Sequence, residues 1–272
     1  MKRFCLIFGC VLSAACASST NRGPANSAED YYVQALEDLE EGMYPEAVLG
    51  FTVLKNKFPY SKYAALADLR IGDVQFERGR YIEAVDAFRN FLKFYPRHEK
   101  GSYAMYKIAS AYREQIPSSF FLLPPAEEKD QASTRLAISA YKDMLTRYPE
   151  SPETEQANTE LDECRRLLAD HEIYVADFYF QREHWLAAAN RAESLLKDYG
   201  GLGLDARALI IAARSRFELE EHAPATEAAA RLQNEFPESS EAERARELLE
   251  KIGPLKSTTE ESKSDSTPES GD

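Results

Sequence analysis

A recurring spacing sets what this chain can become. An aromatic residue followed at once by a helix breaker occurs five times, at Phe58-Pro59, Tyr95-Pro96, Tyr148-Pro149, Tyr199-Gly200 and Phe236-Pro237. The breakers lie 37, 53, 51 and 37 residues apart. An alanine stands 12 residues before each of them, at Ala47, Ala84, Ala137, Ala188 and Ala225. Four residues further come Phe51, Phe88, Tyr141, Ala192 and Ala229, and three beyond those come Leu54, Phe91, Met144, Leu195 and Leu232. Steps of four and three keep an apolar set on one face of a helix. Each motif therefore predicts a helix that starts shortly before its alanine and stops at its breaker, where proline removes a donor and blocks continuation. Self-similarity held at a constant phase marks an array of repeats.

Upstream of each motif lies a second helical stretch with one small residue turned to its partner: Ala35, Gly72, Ala109, Ala176 and Ala213. Gly42-Met43-Tyr44 and Gly79-Arg80-Tyr81 supply the turns of the first two pairs, where glycine takes the left-handed conformation that ends a helix. Pro45 sits where proline can open a helix. Such hairpins bury their apolar faces only by stacking. These residues resemble the tetratricopeptide repeat, which implies an all-α, right-handed α-solenoid of five tetratricopeptide-like hairpins over residues 28–253. The expected repeats are roughly 28–61, 65–98, 102–151, 169–202 and 206–239. The two long steps are assigned to an insertion after Tyr112, carrying Phe120 to Leu123 and expected to pack over the third repeat, and to a long helix leading into the fourth.

The termini read as an address and a tail. Lys2 and Arg3 precede the apolar run Phe4 to Leu12, which is too short to span a hydrocarbon core and ends in Ser13-Ala14-Ala15. Residues 1–15 are expected to be a signal peptide. The small residues before Cys16 resemble the lipobox of bacterial lipoproteins, which makes Cys16 the expected lipidation site, with Cys10 as the poorer alternative. Residues 16–27 form the lipidated cysteine and a polar tether. Residues 254–272, rich in Ser, Thr and Glu, are expected to be a disordered acidic tail.

Charge and composition exclude several functions. Asp and Glu outnumber Lys and Arg by 46 to 33, a net charge of −13, which argues against nucleic acid as a partner. The four histidines are scattered, so neither metal nor cofactor is expected. Cys164 sits in ECRRLL with no identifiable base and is expected to be a packing residue. Gly200-Gly201-Leu202-Gly203 lacks the strand-turn-helix setting of a phosphate loop and is read as a hinge. Surface carboxylate pairs such as Glu40-Glu41 do not define a glycosidase. No enzyme is expected.

The leader, the repeats and four strings together resemble the BamD family of lipoproteins. The strings are FPYSKY from Phe58, SYAMY from Ser102, YVADFY from Tyr174 and the longer run from Leu168 to Tyr199. The resemblance implies a non-catalytic scaffold of the outer-membrane β-barrel assembly machine, lipid-anchored on the periplasmic face of the outer membrane. It implies binding to the periplasmic domain of BamA and to other assembly-machine lipoproteins, and help in delivering unfolded outer-membrane β-barrel proteins for insertion. Asn190, Arg191 and Glu193 match a family segment whose arginine pairs with an acidic residue of BamA. If the first helices follow tetratricopeptide geometry, Tyr32, Leu36, Asp73, Phe76, Tyr103, Tyr106 and Arg113 face a concave substrate groove. The departures are Gly200, where the family has proline, and the acidic tail. The competing reading is a periplasmic tetratricopeptide adaptor that coordinates peptidoglycan enzymes with envelope constriction.

Overall fold

The structure is a computed structural model that describes residues 25–117 and 129–253. The signal segment, Cys16, most of the tether, the run Phe120 to Leu123 and the tail lie outside the described residues. Every regular element among those described is an α-helix. In chain order they are α1 (Ala28–Glu40), α2 (Tyr44–Lys57), α3 (Lys62–Glu77), α4 (Tyr81–Phe94), α5 (Gly101–Arg113) and α6 (Ala132–Arg147). There follow α7 (Thr154–Gln181), α8 (Trp185–Tyr199), α9 (Asp205–Glu218), α10 (His222–Glu235) and α11 (Ser240–Ile252). The chain divides into two compact units, Met1–Ala67 and Asp68–Asp272.

In the first unit Ser27 and Asp30 open α1 with a reciprocal capping box. The Asp30 N–H donates to Ser27 Oγ (3.1 Å) and the Ser27 N–H donates to Asp30 Oδ2 (2.9 Å). The α1 and α2 helices meet where Ala35 faces Gly50, so closely that a Cβ on Gly50 would stand 2.8 Å from that of Ala35. Ala47, Phe51 and Leu54 are fully buried.

In the second unit each hairpin packs on the next. One core cluster gathers α5, α6 and the first half of α7 around Tyr141, Met144, Leu161 and Cys164. A second joins the other half of α7 to α8 and α9 through Ala176, Ala192, Leu195 and Ile211. A third joins α9, α10 and α11 through Ile210, Leu232, Ala245 and Leu248. The alanines fixed by the 12-residue phase, and both apolar positions that follow each, are completely buried in all five hairpins. The smallest residue of the stacked set is Gly72, against whose Cα the ring of Phe88 is pressed.

The turn inside a hairpin is one repeated motif. The Gly42 N–H donates to the Leu39 carbonyl (3.0 Å) and the Met43 N–H to that of Asp38 (2.7 Å). Gly79 and Arg80 repeat this on Phe76 and Gln75, the two-bond pattern that satisfies the last carbonyls of a helix. Hairpins four and five make the same bonds from Glu183-His184 and Glu220-Glu221. There glutamate takes the left-handed position, at φ 61° and 62°, that Gly42 and Gly79 hold at 75° and 69°.

Two features stand out against the sequence expectation. Residues 200–203 are pinned at two points: both carboxylate oxygens of buried Asp205 accept from the Gly201 N–H (3.0 Å each), and Arg166 donates to the Leu202 carbonyl (2.7 Å). Gly200 has no room for a side chain, since a Cβ would lie 2.7 Å from the Leu196 carbonyl oxygen. The other is α11, which lies within the expected solenoid span of residues 28–253 but beyond the fifth repeat, expected to end at residue 239.

Candidate partner-binding surfaces

The residues expected to line a groove fall into three groups. In the first unit, the Tyr32 ring lies between those of Phe51 and Tyr63, with centroids at 5.8 and 5.4 Å, and Leu36 is half-buried one turn on.

In the second unit α3 and α5 bring Asp73, Phe76 and Tyr103 together. Asp73 is buried, receives a hydrogen bond from Tyr103 Oη (2.8 Å) and pairs with Arg70 (2.7 Å). Burial, reinforced by the Asp73 charge, pushes the Tyr103 hydroxyl far above its ordinary pKa, so it stays a donor. Phe76 is braced edge-on by Tyr81 and carries the Lys107 ammonium 4.0 Å from its ring centroid. This half-buried face thus offers two aromatic surfaces and a cation held by their electron density. Lys107 did not stand out in the sequence, where it is one of many charged helical positions.

Tyr106 and Arg113 belong to another network, between α5, α6 and α7. Tyr106 is buried; its hydroxyl donates to Glu160 (3.0 Å), and Tyr141 donates to the other oxygen of the same carboxylate. Burial first, and the Glu160 hydrogen bond with it, pushes Tyr106 up to about 12. Arg113 is more open and donates to Glu163 (2.8 Å).

Elsewhere in the second unit, α8 carries Asn190, Arg191 and Glu193. Arg191 reaches back to α7, where its Nη1 meets the nearly buried Glu172 carboxylate at 3.1 and 3.4 Å. Its side chain is 47% exposed, and the bonds it makes to the described residues all run through Nη1. Glu193 is held by the α9 arginine Arg216, which forms two parallel bonds to it (both 2.7 Å), a third to Glu221 (2.7 Å) and a fourth to Asn190 (3.3 Å). Those bonds raise the Arg216 pKa further above its ordinary value. The Arg216 network and the Glu172 partner were both invisible in sequence, because each joins residues about twenty positions apart through space.

Cys164 is completely buried between α5, α6 and α7, and burial pushes its thiol up to about 11. Among the described residues, no group of three or more His, Cys, Asp and Glu is gathered as metal ligands, and no helix is long and apolar enough to cross a membrane.

Comparison with known proteins places the chain in a family. The outer membrane protein assembly factor BamD of Vibrio cholerae is 26% identical over 196 residues, covering 71% of this chain and 79% of that protein. The protein of the same name from Neisseria gonorrhoeae is 25% identical over 238 residues, covering 85% and 89%. Among solved structures, the TPR2AB domain of yeast Sti1 in complex with pHSP90 aligns at a TM-score of 0.41 and 14% identity, covering 83% of this chain and 89% of that one. The sequence profile of the family described as YfiO, outer membrane lipoprotein, matches residues 24–232. With well over half of its length inside that match, the chain belongs to the YfiO family of outer membrane lipoproteins.

Proposed function

We propose that this chain is a non-catalytic scaffold of the outer-membrane β-barrel assembly machine, anchored to the membrane through a lipid on Cys16, with its hairpins in the periplasm. Relatives of this chain carry assembly-factor names, and a stack of hairpins is a means of presenting surfaces. In this reading α8 docks on the periplasmic domain of BamA and the second unit's Phe76, Tyr103 and Arg113 touch extended stretches of unfolded barrel proteins. Asp73 holds Tyr103 in place, and Tyr106 supports the same face from behind. Tyr32 and Leu36 offer a comparable apolar surface on the first unit. Companion lipoproteins of the machine would bind elsewhere on the array.

The observation that carries the reading is the state of Arg191. A guanidinium fixed by one nitrogen to a buried carboxylate, with the rest of its fork facing solvent, is already oriented to receive a second carboxylate in bidentate fashion. Ordering has been met within the fold, so docking loses less side-chain entropy. Asn190 and Glu193, tied to Arg216, keep the surrounding helix surface rigid.

The test is co-purification of BamA with Arg191→Gln. Glutamine is the cleaner choice because Arg191→Glu would set a second carboxylate against Glu172. The expected result is a loss of affinity of about tenfold or more, roughly 1.4 kcal/mol, with unchanged far-UV circular dichroism. Undiminished recovery of BamA would remove Arg191 from the interface. Recovery of cell-wall synthases in place of BamA would favour the peptidoglycan adaptor.

A further inference from the structure

A cleft of about 200 Å³ opens between α7, α9 and α11, away from Arg191, which lines no part of it. Its floor is apolar: Ile210 and Ile211 are buried at 2% exposure, and Phe180 completes it from α7. Its walls are cationic. Arg207 and Arg214 stand two turns apart on one face of α9, and Arg244 approaches from α11. Asp177 is the only carboxylate in the lining.

The three guanidinium groups are in different states. Arg207 is held by Asp177 at 2.6 Å. Arg214 is exposed and lies over the Phe180 ring, 5.1 Å from its centroid, a cation–π contact that occupies none of its N–H donors in a salt bridge. Phe180 is itself fixed edge-on by Trp185. Arg244 is exposed and has no ion pair or hydrogen bond among the described residues. Three cations face one anion here, in a chain whose net charge is −13. With Arg207 paired to Asp177, two arginines remain beside an apolar floor, a lining that favours a ligand combining carboxylate with apolar contact.

We propose that this cleft is a second docking site, distinct from the α8 surface, for an acidic, partly apolar polypeptide segment of a partner protein. A carboxylate of the segment pairs with Arg214 and Arg244 across the mouth, while a neighbouring aliphatic side chain covers Ile210, Ile211 and the Phe180 edge. Because Arg191 takes no part, this site can fail while the BamA reading stands, and the reverse.

The probe is a short fluorescein-labelled peptide in which glutamates alternate with leucines, titrated by anisotropy against the detergent-solubilised full chain. Its partner is the same peptide with glutamine for every glutamate. Saturable binding of the acidic peptide is expected, weakened by salt, about tenfold weaker in Arg244→Glu and Arg214→Glu, and unchanged in Arg191→Gln. Arg244→Glu removes no contact of the fold, so its effect separates binding from folding, and circular dichroism checks Arg214→Glu. Equal binding of the two peptides, or an unaffected Arg244→Glu, would overturn the proposal. So would tighter binding after truncation at Gly253, which would make the chain's own tail the occupant. Binding of phosphatidylglycerol vesicles that is lost in Arg244→Glu, without any such loss for the peptide, would assign the cleft to lipid and overturn it equally.

Discussion

Replacing Gly72 by alanine sets two well-characterised effects against each other. In the interior of a helix the change ordinarily stabilises by about 1 kcal/mol, because alanine surrenders less backbone entropy. Gly72, however, sits inside α3 with its missing Cβ aimed at Phe88. An alanine methyl there would lie 2.7, 2.9 and 2.9 Å from three ring atoms, whereas carbon atoms in good contact are about 3.5 to 4.0 Å apart. The ring would have to retreat by most of an ångström, yet Phe88 is completely buried and has nowhere open to go. Overpacking of this kind costs about 1–3 kcal/mol, so the sum is a net loss of about 1 kcal/mol, or roughly 2–4 °C in a chain of this size. Thermal melts and urea titrations followed by circular dichroism measure it. The decisive comparison is made in a Phe88→Leu background, where the smaller side chain clears the space. There Gly72→Ala should be neutral or stabilising, giving a coupling of about 1–2 kcal/mol between two residues in contact. If Gly72→Ala raised the midpoint equally in both backgrounds, the claim that this hairpin is set by a glycine-to-ring contact would be wrong.

Two further outcomes follow from the structure. Glu220 holds at φ 62° a turn position that Gly79 fills in the second hairpin; since a left-handed residue with a Cβ costs about 1 kcal/mol, Glu220→Gly should raise the melting temperature slightly, and a fall would mean that the glutamate side chain outweighs its strain. The Cys164 thiol and the Tyr106 hydroxyl are raised to about 11 and about 12, and Tyr103 and Tyr141 shift the same way. All four are neutral in the fold, so their contribution is intact below the ordinary thiol and phenol pKa values and is lost as pH climbs toward the folded-state ones. The urea midpoint should therefore hold to about pH 9 and fall steadily to about pH 12, with Tyr141→Phe lessening the slope; a flat profile would refute the assignment.

The hairpin pairing was legible from the breakers and the alanines at constant phase before them, and there is a physical reason. Where two helices approach closely, the residue between them must be small whatever the rest of the sequence does, so Ala47, Ala84, Ala137, Ala188 and Ala225 keep their phase while their neighbours vary. Turns were legible only where glycine marks them. Glu183 and Glu220 adopt the same conformation with nothing in their chemistry to announce it. The α11 helix falls inside the expected solenoid span but outside its five repeats, because its buried face, Ala242, Ala245 and Leu248, lies within a run of Glu and Arg and carries no repeat motif. Among the candidate contact residues, Asp73, Phe76 and Tyr103 lie on the first helices of adjacent hairpins, and the structure brings Tyr103 onto Asp73. Sequence could not foresee that Asp73 and Tyr106 would be buried and spent on partners, because exposure is settled by which helix stacks next.

The long helix α7 joins these observations. Its 28 residues contain neither glycine nor proline, the usual causes of a kink. Its first half belongs to one core cluster and its second half to the next. Along it stand the acidic residues that meet the candidate surfaces: Glu160 and Glu163 receive Tyr106 and Arg113 from α5, Glu172 receives Arg191 from α8, and Asp177 receives Arg207 from α9. Glu160 and Glu172 are twelve residues apart, about 18 Å along a helix. A rigid rod that anchors the charged contacts of three neighbouring helices cannot shift at one of them without shifting the others, since its two halves have no joint at which to part. Merging the end of one repeat with the start of the next into one helix therefore fixes the α8 surface relative to the α5 face, which is what the proposed scaffold role would ask of it.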